Sequence, residues 1–427
     1  MMKHKKWMLI LMSAILALSL FGCSTTAGQT DSSTTTVQAS SVATTTVTQT
    51  SSTSSSTSTA VSTSTSYSGL VDTSDMFTDR DLEQSADLTD AVYYTLEDGQ
   101  DITITEEGVY FLSGEASNVT VKVDVDDESK VQIVLDGVTI TNESAPAIYV
   151  LSGDKVFVTT TDSENSLSVT GTFVADGDTN LDAVIFSKSD LVLNGLGTLT
   201  ITSAEGNGIT SKDDLKVTGG TYSITSLKDA LEANDSIRIY AGDITIVTDK
   251  DGLHSENDDD DSLGYIYIQG GTLNITAGDD GIQGNAFVQI DGDTISIPQS
   301  TEGIEGTYVQ INGGSIDIYA TDDGINASDK STSYDIVIEV NGGTINVVVG
   351  SGDTDGFDAN GDIYINGGTI SVEANSAFDA DGVGELNGGT VTVNGTVITE
   401  ITETQMGPGG GHGGAPGGGA PSGGPGK

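Results

Sequence analysis

The chain has one cysteine, Cys23, so no disulfide can form within it. Three histidines complete its stock of soft metal ligands, and zinc sites built on thiolate or imidazole are excluded with them. The only tryptophan, Trp7, lies in the leading apolar segment and offers no platform to a mature domain. Prolines number six, and no stretch shows a sustained helical period. Positive charge is also scarce: 15 Lys and Arg against 63 Asp and Glu give a net charge of −48. From Gly69 onward the balance is 12 against 62. A field of that sign repels nucleic acid and anionic lipid surfaces, so neither is an expected partner. Nothing in the sequence points to an obligate protein partner.

The ends differ in composition from the middle. Residues 1–22 begin with a basic KHKK run, continue apolar through Leu20 and reach LFGC, the pattern of a secretory signal. Cys23 then stands where a bacterial lipobox places its lipidated cysteine, so the expected address is the outer cell surface, with a lipid anchor as the only membrane contact. Simple cleavage and secretion is the alternative. Residues 23–68 are mostly Ser, Thr, Ala and Val, too little bulk for a core, and read as a disordered stalk. Residues 401–427 end in a Gly/Pro-rich flexible tail.

Between them a unit of about 22 residues recurs, the mark of a stacked architecture. One part of the unit reads close to NGGTI, as in Val309–Ile318, Ile338–Val347 and Ile363–Val372. The other reads close to DDGI, as at Asp279–Ile282 and Asp322–Ile325. Apolar and polar residues alternate inside each copy, which is the strand period. Superposed copies give apolar columns: Leu215, Ile237, Ile266, Val288, Val309, Ile338, Ile363, and likewise Ile224, Ile246, Ile275, Ile297, Ile318, Val347, Val372. Tyr222 falls in a core column. The expected fold is all-β, a right-handed parallel β-helix (solenoid) of roughly eleven coils over residues 131–400. Residues 69–130 are expected to supply an N-terminal cap and opening strands that protect the core edge. Asparagines at the turns (Asn312, Asn341, Asn366, Asn387) predict a ladder of stacked amides.

Acidic residues recur at one phase of the repeat. Asp229, Asp251, Asp280, Glu302, Asp323 and Asp355 form one column, and Glu232, His254, Gln283, Glu305, Asn326 and Asp358 follow three residues later. The last copy keeps Asp379, with Asp381 beyond it. Stacking puts column members about 5 Å apart, where carboxylates must be protonated, solvated or cation-bound. An all-oxygen donor set suits Ca²⁺. The leading candidates are Asp229–Asp251–Asp280 with Glu232, and Asp355–Asp358 with Asp379 and Asp381. The insertion Ser255–Asp261 either adds a ligand or is a solvated loop. The nine-residue Ca²⁺-binding repeat is excluded by the period.

The segments ITEEGVYFLSG (from Ile104), VQIVLDGVTITN (from Val131), LVLNGLGTLTIT (from Leu191) and GNGITSKDDLKVTGG (from Gly206), with the later coils, resemble the calcium-binding, carbohydrate-binding β-helix proteins of clostridia and related bacteria. The fold of that family is similar to that of pectate lyases. The resemblance implies Ca²⁺ sites and binding of acidic plant cell-wall polysaccharide of the pectin type. Tyr267 and Tyr364 are the aromatic residues expected to face outward for sugar contact. A calcium-dependent polysaccharide lyase is the competing reading; its base falls to Lys228, Lys250 or Arg238. The plainer account of those cations is charge balance beside an acidic column. A structural adhesin is the third reading.

Overall fold

A computed structural model describes residues 69–352 and 354–402; the leading segment, Cys23, the Ser/Thr stretch and the Gly-rich tail lie outside the described residues. The described chain is a parallel β-helix of 34 strands, and every strand pairing is parallel except the last. Three faces alternate along the chain. Asp214–Val217, Thr221–Ser226 and Leu231–Ala233 are one turn of the helix, on the first, second and third face.

Register follows the apolar columns. On the first face Leu191 pairs with Leu215, Leu215 with Ile237, Ile237 with Ile266, Ile266 with Val288 and Val288 with Val309. Each of these side chains is fully buried, and each contributes about 1.5–3 kcal/mol of transfer free energy. A one-residue slip would turn the whole set to solvent, so the pattern fixes the register. The second face slips once, between Asn274 and Thr276 against Ser296 and Gln299. Pro298 stands at that slip, and it has no N–H to donate to the ladder.

The stack starts earlier than Val131. Val92–Thr95 lies on Tyr110–Ser113, Ile102–Ile104 on Val121–Val123, and Gly108–Ser117 on Val131–Thr141. At the other end Thr396–Ile398 folds back antiparallel on Val391–Val393. Its two-residue turn, Asn394–Gly395, has φ of 49° and 77°, the positive pair that a type I′ hairpin needs.

Residues 69–84 do not cap an end. They form a strap along the first face, running against the direction of stacking. The Leu70 N–H donates to Gln289 Oε1 at 2.9 Å and to Gln310 Oε1 at 3.2 Å. Phe77 meets Tyr240 edge-on at 5.4 Å, Arg80 lies over Phe157 at 4.8 Å, and Gln84 accepts from the Gly195 N–H at 3.0 Å. The strap therefore covers an outward row that includes Phe157, Lys216, Arg238 and Tyr267.

Turns between the first and second faces use the second Gly of the NGG motif at positive φ, for example 91° at Gly343 and 89° at Gly368. Asp293 holds that position in one coil, with φ 118°. The amide ladder is present: Asn387 donates to Asn366 at 3.0 Å, Asn366 to Asn341 at 2.9 Å, Asn341 to Asn312 at 2.8 Å, and Asn312 to Asp291 at 2.7 Å. Tyr222 is buried in the core.

Candidate functional site

The acidic column lies at the corner between the second and third faces, where the DGI segment enters each third-face strand. Consecutive coils approach closely there. A Cβ on Gly303 would sit 2.3 Å from the Gly324 carbonyl oxygen, so glycine is what lets Gly303 N–H donate to Asp323 O at 3.0 Å. The same closeness packs the carboxylates. Asp229, Asp251, Asp280 and Glu305 are buried, and neighbouring carboxylates accept backbone N–H groups from the next coil: Asp251 N–H to Asp229 at 3.2 Å, and Asp280 N–H to Asp251 at 3.0 Å.

Three sets bring ligand atoms within 4.8 Å of one another: Asp229–Asp251–His254, Asp251–Asp279–Asp280, and Asp280–Glu302–Glu305. Their electrostatics differ. In the first, the Lys250 ammonium is 3.0 Å from Asp229 and 3.2 Å from Asp251, and His254 Nδ1 lies 3.6 Å and 3.7 Å from the same pair. Burial acts to raise Asp229, but the nearby His254 imidazole and the Lys250 charge overcome it and hold the carboxyl at about 2. Burial, then the Asp229 charge, raises Asp251. In the third set, burial and then Glu302, Glu305, Asp251 and Asp279 push Asp280 up to about 9, and burial and then Glu305 push Glu302 up to about 7. The Lys330 ammonium, 2.8 Å from Glu305, is the one ion pair recorded in this set among the described residues. Gln283 donates to Asp280 at 2.9 Å and to Glu305 at 2.6 Å. Asn326 donates to Glu302 at 2.9 Å, while its own Oδ1, in a residue 8% exposed, has no hydrogen-bond partner.

The structure divides the set Asp229–Asp251–Asp280 with Glu232: Asp251 meets Asp229 in one group and Asp280 in another, and Glu232 is in neither. The Lys250 ammonium already pairs with the set's first two members. Glu232 faces outward on the third face, where Asn207, Thr210 at 3.0 Å and Lys212 at 3.1 Å donate to it. Asp280 groups with Glu302 and Glu305 as well as with Asp251 and Asp279. Further along, Asp358 is pushed up to about 7 by burial and then by the charges of Asp323, Asp355, Asp379 and Asp381. The Asp355 N–H donates to Asp323 at 2.7 Å. The oxygen donors of Asp280, Glu302, Glu305 and Asn326, buried or half-buried and with three carboxylates crowded against one ammonium, fit a hard cation. Asp279 and Lys330 were not singled out from sequence; Lys330 comes from an insertion outside the repeat.

The proposed bases are not assembled. Lys228 is exposed. Lys250 is raised above its ordinary value: burial lowers it, but Asp251 and Asp229 win. Arg238 is on the strapped first face, 2.8 Å from Asp214, with its guanidinium over Tyr265. Tyr267 does point outward from its coil, but the strap covers it: it is 1% exposed, and its hydroxyl donates to Asp291 at 2.9 Å. It has no face left for a sugar. Tyr364 stays accessible, donating to Asp362 at 2.8 Å.

A curated Acetivibrio thermocellus protein described as carbohydrate-binding domain-containing is 33% identical over 128 residues, which are 29% of this chain and 45% of that protein. The chain thus spans less than half the length of that relative. A solved structure described as the polysaccharide lyase-like protein from C. thermocellum, gadolinium derivative, is 26% identical, covering 58% of this chain and 96% of that one with a TM-score of 0.45. The family of carbohydrate-binding domain-containing proteins matches residues 98–356 and 299–397, and this chain belongs to it.

Proposed function

We propose that the protein binds acidic polysaccharide of the polygalacturonate type through Ca²⁺ held at the acidic corner, and that Cys23 tethers it to the cell surface. The observation that carries this reading is the crowding of three carboxylates, Asp280, Glu302 and Glu305, around one ammonium, Lys330, beside a partnerless Asn326 carbonyl. Ca²⁺ takes six to eight oxygens. These four residues would hold the ion with coordination positions to spare, and the bound ion would supply the positive charge that a uronate carboxylate requires. Without it, a protein of net charge −48 and a polyanionic chain repel.

The lyase reading is weaker for a chemical reason. A base that removes a proton next to a carboxylate must be neutral at working pH. Lys250, raised by two carboxylates, is held protonated, and Arg238 is committed to Asp214 and the strap. Polygalacturonate binding with and without a chelator, with ultraviolet absorbance followed in the same samples, tests both readings. Retention only with Ca²⁺ and no unsaturated product is the expected outcome. Chelator-insensitive retention would overturn the bridge, and steady product formation lost in Lys250→Ala would establish the lyase.

A further inference from the structure

Two coils are longer than their neighbours. Asp229 and Asp251 are 22 residues apart, Asp251 and Asp280 are 29 apart, and Asp323 and Asp355 are 32 apart. Much of the extra chain emerges at the same corner in both, between the third and first faces, as residues 256–264 and 328–336. The two insertions dock on one another. Ser331 Oγ donates to the Asp261 carbonyl at 2.6 Å, Thr332 Oγ1 to the Asp261 carboxylate at 2.6 Å, and the Tyr334 hydroxyl to the Ser262 carbonyl at 3.4 Å. Aromatic packing backs them, with Tyr334 edge-on to Phe287 at 5.2 Å and Phe287 stacked on Tyr265 at 4.6 Å. Ser255–Asp261 is thus largely exposed but tied at both ends: Glu256 lies 3.6 Å from His254 Nε2, and Asp261 docks on the second insertion.

This wall borders an open cleft of about 840 Å³ on the part of the first face beyond the strap's anchor at Gln289 and Gln310. Tyr308, Tyr334 and Tyr364 line it, all partly exposed, together with Asp335, Asp362 and Asn360. The Tyr308 hydroxyl is held by Glu339 at 3.0 Å and the Tyr364 hydroxyl by Asp362 at 2.8 Å, so two rings are fixed by their polar ends. A tyrosine ring presents an apolar body with a wet tip, which suits the C–H face of a pyranose. Carboxylates and an amide around such rings accept and donate to hydroxyls, and charged acceptors make the stronger bonds. Sites of this make-up, concave with a few convergent polar groups, are where small ligands bind. The lining carries Asp329, Asp335 and Asp362 and no cationic side chain, so a uronate is repelled here.

We infer that this cleft is a second glycan site, which takes uncharged sugar residues without a metal ion. The inference rests on the family's carbohydrate-binding character and is independent of the calcium bridge. The test is calorimetric titration of the full protein, in chelator, with cello-, xylo- and galacto-oligosaccharides and with oligogalacturonate. At least one neutral oligosaccharide binds and oligogalacturonate does not. Tyr364→Ala weakens the neutral ligand about tenfold, the size of a well-packed aromatic contact. Asp362→Asn weakens it too, while Ca²⁺-dependent retention of polygalacturonate stays intact in both variants. Absence of binding by every neutral oligosaccharide would overturn the inference, as would binding untouched by both substitutions. Neither result bears on the calcium site, whose failure is read in the Ca²⁺ arm alone.

Discussion

The Lys155 ammonium donates to the Asp81 carboxylate at 3.2 Å across 74 residues of sequence. Asp81 is 0% exposed, and its other oxygen lies 3.5 Å from Lys216. Burial acts to raise this carboxyl, but the Thr78 N–H and the charges of Lys216 and Lys155 hold it below its ordinary value. The strap is pinned to the first face at this point.

Asp81→Ala takes the strap's carboxylate from two buried ammonium groups, leaving Lys155 with Asp190 at 3.5 Å and Lys216 with Asp214 at 4.0 Å, so the cost stays below the about 3–5 kcal/mol of an orphaned buried charge. Stacked repeats do not unfold as one unit, so the loss is best read locally. Amide hydrogen exchange should speed up across residues 69–84 while interior strands such as Thr221–Ser226 keep their protection. Unchanged protection of the strap would contradict its anchoring role. Because the folded-state pKa is depressed, the stabilisation by Asp81 is present above about pH 4 and is lost as pH falls further.

Asp293 occupies a position where other coils use Gly at positive φ. Asp293→Gly relieves backbone strain of about 1–3 kcal/mol. Burial also pushes the Asp293 carboxyl up to about 6 from an ordinary 3.8, and its Oδ2 is buried without a partner. A carboxyl raised in the folded state costs nothing below its unfolded pKa and destabilises as pH rises through the folded value. The gain in melting temperature from Asp293→Gly should therefore be larger at about pH 7 than at about pH 4. An equal or lower melting temperature at both would show that the turn is not strained.

Ca²⁺ should raise thermal stability, by about 2.7 kcal/mol at a hundredfold excess over Kd. The structure distinguishes two carboxylates that the repeat makes equivalent. Asp280→Asn should abolish most of the Ca²⁺-induced shift. Asp229→Asn should leave most of it, since the Lys250 ammonium already pairs with Asp229. Differential scanning fluorimetry with and without chelator measures both. The reverse ranking would move the ion to the Asp229–Asp251 end of the column.

What the sequence made legible was whatever repeats. Period-2 alternation placed Leu215, Ile237 and Ile266 on one inward column, and the DGI phase gathered Asp280 with Glu302. Contacts that occur once were not legible. The strap reaches Gln289 and Gln310 from Leu70 across 219 and 240 residues, and no pattern announces it. That is why the outward parity of Tyr267 was correct while its exposure was not. The choice among carboxylates depended on where Lys250, His254 and Lys330 direct their charge, which is a matter of side-chain geometry and not of phase. The two insertions were visible as departures from the period, but only the fold shows that they leave from one corner and meet.

The central claim is that a held Ca²⁺ bridges two polyanions. The direct test compares binding of polygalacturonate with that of the same chain fully methyl-esterified, at one fixed Ca²⁺ concentration. Esterification removes ligand charge and leaves the sugar backbone. The account predicts strong retention of the free acid, abolished by chelator and by Asp280→Asn, and weak retention of the ester. Equal binding of both forms would contradict it.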